Sequence, residues 1–219
     1  MAIPKVIYQT FKTNKLPWLT KIHINKFRKK NSSYRYEFYD DAAIETFLEE
    51  AYGDEILKLY KRINIGAAKA DFFRYAILYK KGGVYLDIDS LIKKNLDGLI
   101  KPDDEAIIAR EGHPGLYAQW ALIYNAGHPF LAKTMEKVID NLQQNRFPHD
   151  VHKMTGPTVY TEAIEECLSQ NTEINFRTYK VDYGDFFKFK YAFNKIVYSN
   201  RSEHWKTQQL KTPILKPAD

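Results

Sequence analysis

Asp87 and Asp89 are the side chains in this sequence best placed to do chemistry. They stand one residue apart at the end of an apolar run, Tyr85-Leu86-Asp87-Ile88-Asp89. On a β-strand successive side chains alternate, so Val84, Leu86 and Ile88 point one way and Tyr85, Asp87 and Asp89 the other. Two carboxylates on one side of a buried strand end are costly unless something neutralises them. A divalent ion does so. An oxygen pair with no Cys or His triad beside it suits magnesium or manganese rather than structural zinc, and the ion can in turn hold a diphosphate. A lone D-x-D is equally what a solvated turn looks like, so its surroundings must decide. A glycosidase also uses two carboxylates, but they stand about 5 Å or more apart across the scissile bond, whereas Asp87 and Asp89 share one strand end.

The preceding segment supplies those surroundings. Asp71 and Arg74 lie three apart in a helical pattern and share a face. Arg74 can fork to phosphate or sugar hydroxyl oxygens, and Asp71 can accept from hydroxyls; an ordinary surface ion pair is the blander reading. Gly82 and Gly83 stop the helix and permit a tight reversal into the strand, without forming a P-loop or G-x-G-x-x-G fingerprint. Helix, double glycine, buried strand and acidic strand end follow the order of an open α/β sheet, which binds ligands at the carboxyl ends of its strands.

The elements that must position these residues are legible from periodicity and punctuation. A first strand falls at 6–8 and a helix at 20–30, with Ile24 and Phe27 inward. A second strand falls at 34–39. Asp40 or Asp41 caps a helix presenting Ile44, Phe47 and Leu48, and Gly53 ends it. Helices at 54–62 and 67–80 lead to the central strand at 84–88. A strand is expected at 106–109, helices at 129–141 and from Pro157 to 168, and 116–124 is ambiguous. The tail is aromatic-rich and irregular. With no repeat and no long linker, 1–219 reads as a single domain, with 198–219 as a donor-closing tail.

The 219 residues suffice for one substantial core. The net charge of +6 favours anionic partners without choosing among them; the densest basic run, Lys26-Phe27-Arg28-Lys29-Lys30, reads as a solvated helix face or a surface patch. The 16 tyrosines are divided between a polar cleft and compositional drift as explanations. Cys167, alone in its type, permits no internal disulfide and reads as core. No signal peptide and no run of about 18 apolar residues is visible. The expected location is therefore cytoplasmic, any membrane association would be peripheral, and a viral source is compatible.

Two blocks of this sequence, Ala70-Asp71-Phe72-Phe73-Arg74-Tyr75 through Leu78-Tyr79 and Gly82-Gly83-Val84-Tyr85-Leu86-Asp87-Ile88-Asp89, resemble the DXD sugar-transferase family. That family includes the yeast initiating α-1,6-mannosyltransferase, bacterial capsular-polysaccharide transferases and, more distantly, the catalytic domains of large clostridial glucosylating toxins. The opening Ile3-Pro4-Lys5-Val6-Ile7-Tyr8-Gln9-Thr10-Phe11, Tyr124-Asn125-Ala126-Gly127-His128-Pro129 and Thr155-Gly156-Pro157 resemble further blocks, so the similarity runs from about residue 3 to about 160.

The resemblance implies a GT-A type, Rossmann-like α/β nucleotide-sugar-binding fold with a mainly parallel central sheet. It also implies a retaining, divalent-metal-dependent transfer, commonly with manganese, from a nucleotide-sugar (a UDP-hexose, UDP-N-acetylhexosamine or GDP-mannose) to a glycan, lipid-linked or protein acceptor. Carried over by position, Asp89 would ligate the metal and Asp87 would contact ribose or sugar, with the metal as a further contact. Asp71 and Arg74 would hold the donor sugar, Tyr8, Gln9, Thr10 and Phe11 would contact the base, and Asn125 would lie near the transferred sugar. In Tyr198-Ser199-Asn200-Arg201-Ser202-Glu203-His204-Trp205 the family's closing Ser-Trp pair is only approximated; Glu203 or His204 is expected as a late metal ligand and Trp205 as a shield for the diphosphate. Two rival classes are a nucleic-acid-binding module, which lacks finger, RNP and helix-turn-helix signals, and a non-catalytic sugar-nucleotide-binding relative, against which the intact Asp71, Arg74, Asp87 and Asp89 argue.

Overall fold

The computed structural model describes residues 2–112, 115–171, 173–192 and 204–217. The chain opens with β1 (Val6–Thr10), α1 (Trp18–Lys30) and β2 (Arg35–Tyr39). Three helices follow, α2 (Asp41–Tyr52), α3 (Asp54–Arg62) and α4 (Gly66–Lys81), and deliver the chain to β3 (Gly83–Leu86). After the two-residue β4 (Leu91–Ile92) come β5 (Ala106–Arg110) and β6 (Ala121–Tyr124). Then follow α5 (Pro129–Gln143), α6 (Val151–Met154) and α7 (Pro157–Gln170). The chain continues through β7 (Arg177–Lys180), β8 (Phe187–Lys188) and α8 (Trp205–Lys211).

Local chemistry explains the boundaries. Asp40 Oδ1 accepts the Ala43 N–H at 3.0 Å and caps α2. Asp54 and Glu55 open α3 and Lys61 and Arg62 close it, each set matched to the helix dipole. Pro129 and Pro157 occupy first-turn positions of α5 and α7, where a missing N–H costs nothing. Gly82 and Gly83 have φ of 63° and 114°, and a Cβ on Gly83 would lie 2.9 Å from the Val6 carbonyl oxygen. Only glycine allows α4 to turn this sharply and start β3 against β1.

The six-stranded sheet has the order β2-β1-β3-β6-β5-β7. The β1–β2, β1–β3 and β5–β7 pairs are parallel; β6 runs against β3 and β5. The sheet is therefore mixed and mainly parallel, with helices on its faces. β4 and β8 form a separate antiparallel ribbon. Tyr8, Tyr85 and Leu122 face a core shared with α2, α4 and α5, which contribute Phe47, Phe72, Phe73 and Leu131. The alternate residues Ile7, Val84, Leu86 and Ile123 face a second core with Ile24 and Phe27 of α1. Cys167 is buried in α7. The tyrosines go mostly into these cores: Tyr8, Tyr60, Tyr75, Tyr85, Tyr124 and Tyr160 are all buried, and the Tyr124 and Tyr160 hydroxyls pair at 2.5 Å. No described helix is long and apolar enough to cross a membrane.

Two expectations need correction. The central strand stops at Leu86, not Ile88. The Asp87 N–H donates to the Trp120 carbonyl at 2.8 Å and the Ser90 N–H to the Asp87 carbonyl at 3.0 Å, so Asp87–Ser90 closes a turn and strand alternation does not govern it. The tail is also not wholly irregular: His204 Nδ1 accepts the Lys206 N–H at 3.3 Å and starts α8. Residues 198–203, including Glu203, lie outside the described residues.

His128 gives the fold a test. Its Nδ1 accepts the Phe130 N–H at 3.2 Å, capping α5, while Nε2 lies 3.5 Å from the Asn175 carbonyl. Burial pushes its pKa down to about 4, with the Asn175 carbonyl opposing. The folded state therefore holds the neutral ring, the unfolded chain binds the proton more readily between about pH 6.5 and 4, and stability falls as pH falls through that window. Urea unfolding should lose about 2 kcal/mol between pH 7 and pH 4.5 from this residue alone. His128→Asn, which keeps a capping oxygen, should flatten that part of the profile; an unchanged slope would place the acid sensitivity elsewhere.

Candidate active site

A cavity of about 480 Å³ opens at the sheet edge where β1 and β3 end. Thr10, Phe11 and Lys12 line it from the end of β1, and Lys69, Ala70 and Arg74 from α4. Tyr85, Asp87, Ile88 and Asp89 come from β3 and its turn, Phe189 and Lys190 from the segment after β8, and His204, Trp205 and Gln208 from α8 and its cap. The carboxyl ends of two parallel strands thus meet the amino end of the antiparallel β6, since Leu86 pairs with Ala121. This is the edge at which open α/β sheets bind ligands.

One buried cation organises the floor. Arg74, 4% exposed, donates from Nη2 to Asp87 Oδ1 at 2.9 Å, from Nη1 to the Gln119 carbonyl at 2.7 Å and from Nε to the Ala70 carbonyl at 3.2 Å. Its guanidinium lies 4.8 Å from the Tyr85 ring centre, and the Tyr85 hydroxyl donates to the same Asp87 oxygen at 2.9 Å. Asp71 sits behind, 3.3 Å from Arg74 Nη2, and accepts from Gln119 Nε2 and Thr155 Oγ1, both at 3.0 Å. Tyr75 donates its hydroxyl to Gln119 Oε1. On the other side of the turn, Gln9 Nε2 donates to the Asp87 carbonyl at 3.1 Å while its Oε1 accepts from Tyr36 at 3.1 Å.

These contacts set the charges. Burial pushes the Asp71 carboxyl up to about 7, against Arg74 and Thr155, which favour the carboxylate. Burial likewise raises Asp87, opposed by Arg74, the Tyr85 hydroxyl and the charge of Lys190. Burial disfavours the Arg74 cation, but Asp87, Tyr85 and Asp71 more than offset it and hold the guanidinium charged. One Asp87 oxygen is thus fixed by two donors, in a cavity also lined by Lys12, Lys69 and Lys190.

The expected site residues divide accordingly. Arg74, Asp87, Asp89, Thr10, Phe11, His204 and Trp205 come together around the cavity. Three of the five Arg74 N–H groups are engaged within the protein, so it braces Asp87 rather than offering a free fork. Asp71 lies behind Arg74 and does not line the cavity. Tyr8 and Gln9 are also withdrawn from it: Tyr8 packs in the core and Gln9 holds the Asp87 carbonyl. Asn125 is displaced furthest. It follows Tyr124, which pairs with Gly83 at the opposite end of β3, and its N–H donates to the Glu105 carbonyl; antiparallel β6 brings Gln119 and Trp120 to Asp87 instead. Gln119 carries no motif that marks it in the sequence, whereas Thr155 belongs to the Thr155-Gly156-Pro157 block.

A divalent cation fits this site in part. Asp87 and Asp89 on one tight turn offer the oxygen donors that magnesium or manganese takes, and a diphosphate and water commonly complete such a shell. His204 lines the same cavity, with its Nδ1 capping α8; among the described residues no three His, Cys, Asp or Glu side chains form a metal-binding group. Trp205 lies 5.5 Å, ring centre to ring centre, from His152 and is partly buried against the core.

Residues 17–109 match the glycosyltransferase sugar-binding region containing the DXD motif. The chain is 26% identical over 206 residues to the initiation-specific α-1,6-mannosyltransferase of Candida albicans, covering 76% of this chain and 53% of that protein. It is 31% identical over 157 residues to inositol phosphoceramide mannosyltransferase 3 of Schizosaccharomyces pombe, covering 71% and 43%. The chain thus spans about half the length of these relatives. Among solved structures, the PaToxG glycosyltransferase superposes with a TM-score of 0.61 at 21% identity, covering 79% of this chain and 72% of that one, which supports a GT-A type fold.

The bracing geometry is testable through stability. Lysine keeps the charge of Arg74 but cannot reach Asp87, the Gln119 carbonyl and the Ala70 carbonyl together. Arg74→Lys should therefore cost about 2 kcal/mol or more in urea unfolding at pH 7. A variant as stable as wild type would mean that a point charge suffices and the fork is dispensable.

Proposed function

This chain belongs among the DXD-motif glycosyltransferases, related to the yeast mannosyltransferases, and from that premise we propose that it transfers a sugar from a nucleotide-sugar donor to a hydroxyl acceptor. One observation carries the proposal: Asp87 and Asp89 open into the same cavity as the end of β1 and three lysines. The proposed donor lies with its base and ribose toward Thr10 and Phe11 and its diphosphate toward the two carboxylates. A bound magnesium or manganese ion would supply positive charge against the diphosphate as the sugar–phosphate bond breaks.

The chain's own residues do the rest. Arg74 and Tyr85 hold Asp87 in one orientation, so no reorganisation accompanies charge development. Lys190, whose charge acts on Asp87, and Lys12 favour the departing diphosphate. Trp205 and Phe189 cover the cavity with apolar surface and limit access of water. The transfer retains the anomeric configuration, with the acceptor attacking the face that the diphosphate leaves. The relatives' names favour mannose as the sugar, with UDP-linked hexoses and N-acetylhexosamines as the other donors to test. The acceptor is a hydroxyl of a glycan, a lipid-linked sugar or a protein.

The test is a donor screen with manganese, using GDP-mannose and UDP-linked glucose, galactose and N-acetylglucosamine, read by donor hydrolysis and thermal shift. One donor should raise Tm and be consumed only when metal is present. Asp89→Asn should lower that turnover at least about 100-fold while its own Tm stays near wild type. Undiminished turnover by Asp89→Asn at limiting manganese contradicts the role of Asp89; a collapse of Tm would make it structural.

A further inference from the structure

α1 buries Thr20, Ile24 and Phe27 and turns the opposite side to water. At 3.6 residues per turn, Trp18, Ile22 and Lys29 fall within roughly 40° of one another around the helix axis, with Lys21 and Lys26 flanking them on either side. Trp18 is 68% exposed and Ile22 36% exposed, and the three lysines are exposed with them. The helix has five basic residues, Lys21, Lys26, Arg28, Lys29 and Lys30, and no acidic one. Arg28 and Lys30 are engaged within the fold, one over the Tyr36 ring and the other on the Lys93 carbonyl. Lys21, Lys26 and Lys29 surround the exposed apolar pair.

An indole and a branched aliphatic chain held in water and ringed by lysines match an interfacial helix. The apolar groups enter the boundary between headgroups and acyl chains, and the lysines meet anionic headgroups. The buried side of the same helix packs beside the segment that lines the cavity. Trp18 stands six residues after cavity-lining Lys12. The Thr20 and Tyr191 hydroxyls pair at 2.8 Å, and the His23 ring stacks on Tyr191 at 4.2 Å. The Tyr191 N–H in turn donates to the Asp89 carbonyl at 3.1 Å. Two residues before Tyr191, Phe189 is 47% exposed and lines the cavity.

We propose that the Trp18–Ile22 face of α1, with Lys21, Lys26 and Lys29, docks this protein onto an anionic lipid bilayer. A nucleic acid would also attract the lysines, but Ile22 beside Trp18 offers hydrocarbon rather than a second stacking surface. Docking uses no residue of the transfer site, so turnover of a soluble donor is a separate readout.

The experiment is co-sedimentation of the full chain with phosphatidylcholine vesicles, with and without a one-third share of phosphatidylserine. Wild type should bind the anionic vesicles and not the neutral ones, and salt should release it. Each lysine contributes roughly fivefold, so reversing Lys21, Lys26 and Lys29 to Glu together should weaken binding more than about 100-fold. Trp18→Ser should weaken it about tenfold, with far-UV circular dichroism and donor turnover unchanged. Failure of wild type to bind anionic vesicles overturns the proposal, as does wild-type binding by either variant. Tighter binding to a single-stranded oligonucleotide than to the vesicles, through the same lysines, would assign the face to nucleic acid and overturn it too.

Discussion

The candidate site depends on the burial of one guanidinium between two carboxyls. Arg74 and Asp71 are 4% and 3% exposed, and neither charge is tolerable there alone. Arg74 lies within 3.3 Å of both carboxyls, so the cluster carries more acid than base, and burial raises the proton affinity of both acids. The structure answers with directed hydrogen bonds. Thr155 and Gln119 serve Asp71, Tyr85 serves Asp87, and the backbone carbonyls of Ala70 and Gln119 take two further Arg74 donors. Elements distant in sequence are thereby committed to one small volume: α4, the segment before β6, the residue before Gly156 and the end of β3.

That commitment explains why the sheet is arranged as it is. β3 must end where α4 can reach it, and the glycine pair sets that distance by allowing β3 to approach the Val6 carbonyl. β6 must run antiparallel so that Gln119 and Trp120, rather than Asn125, arrive at the end of β3. The Trp120 carbonyl then receives the Asp87 N–H, and Gln9 fixes the Asp87 carbonyl from β1. The turn bearing Asp87 and Asp89 is held from both neighbouring strands.

Much of this was legible in the sequence because it is local. The α2 cap at Asp40, the α4 stop at Gly82 and the proline starts of α5 and α7 each follow from one or two residues. Asp71, Arg74, Asp87 and Asp89 were visible through their spacing. The direction of β6 was not, because 116–124 is apolar apart from Gln119 and has no clear period; with it went the exchange of Asn125 for Gln119. Alternation carried the strand reading two residues too far, since the turn that ends β3, closed by the Ser90 N–H on the Asp87 carbonyl, leaves no break in the apolar pattern through Ile88. The burial of Tyr8 and Gln9 was equally invisible, because β1 is covered on both faces and its polar Gln9 and Thr10 are buried with the rest.

The central claim is that Asp87 and Asp89, braced by Arg74, hold a divalent cation together with a nucleoside diphosphate. Electron paramagnetic resonance titration of manganese measures this directly, with and without GDP or UDP. The account predicts one tightly held manganese per chain when the matching diphosphate is present and its loss in Asp87→Asn/Asp89→Asn. Equal manganese binding by wild type and the double variant in the presence of that diphosphate would contradict it.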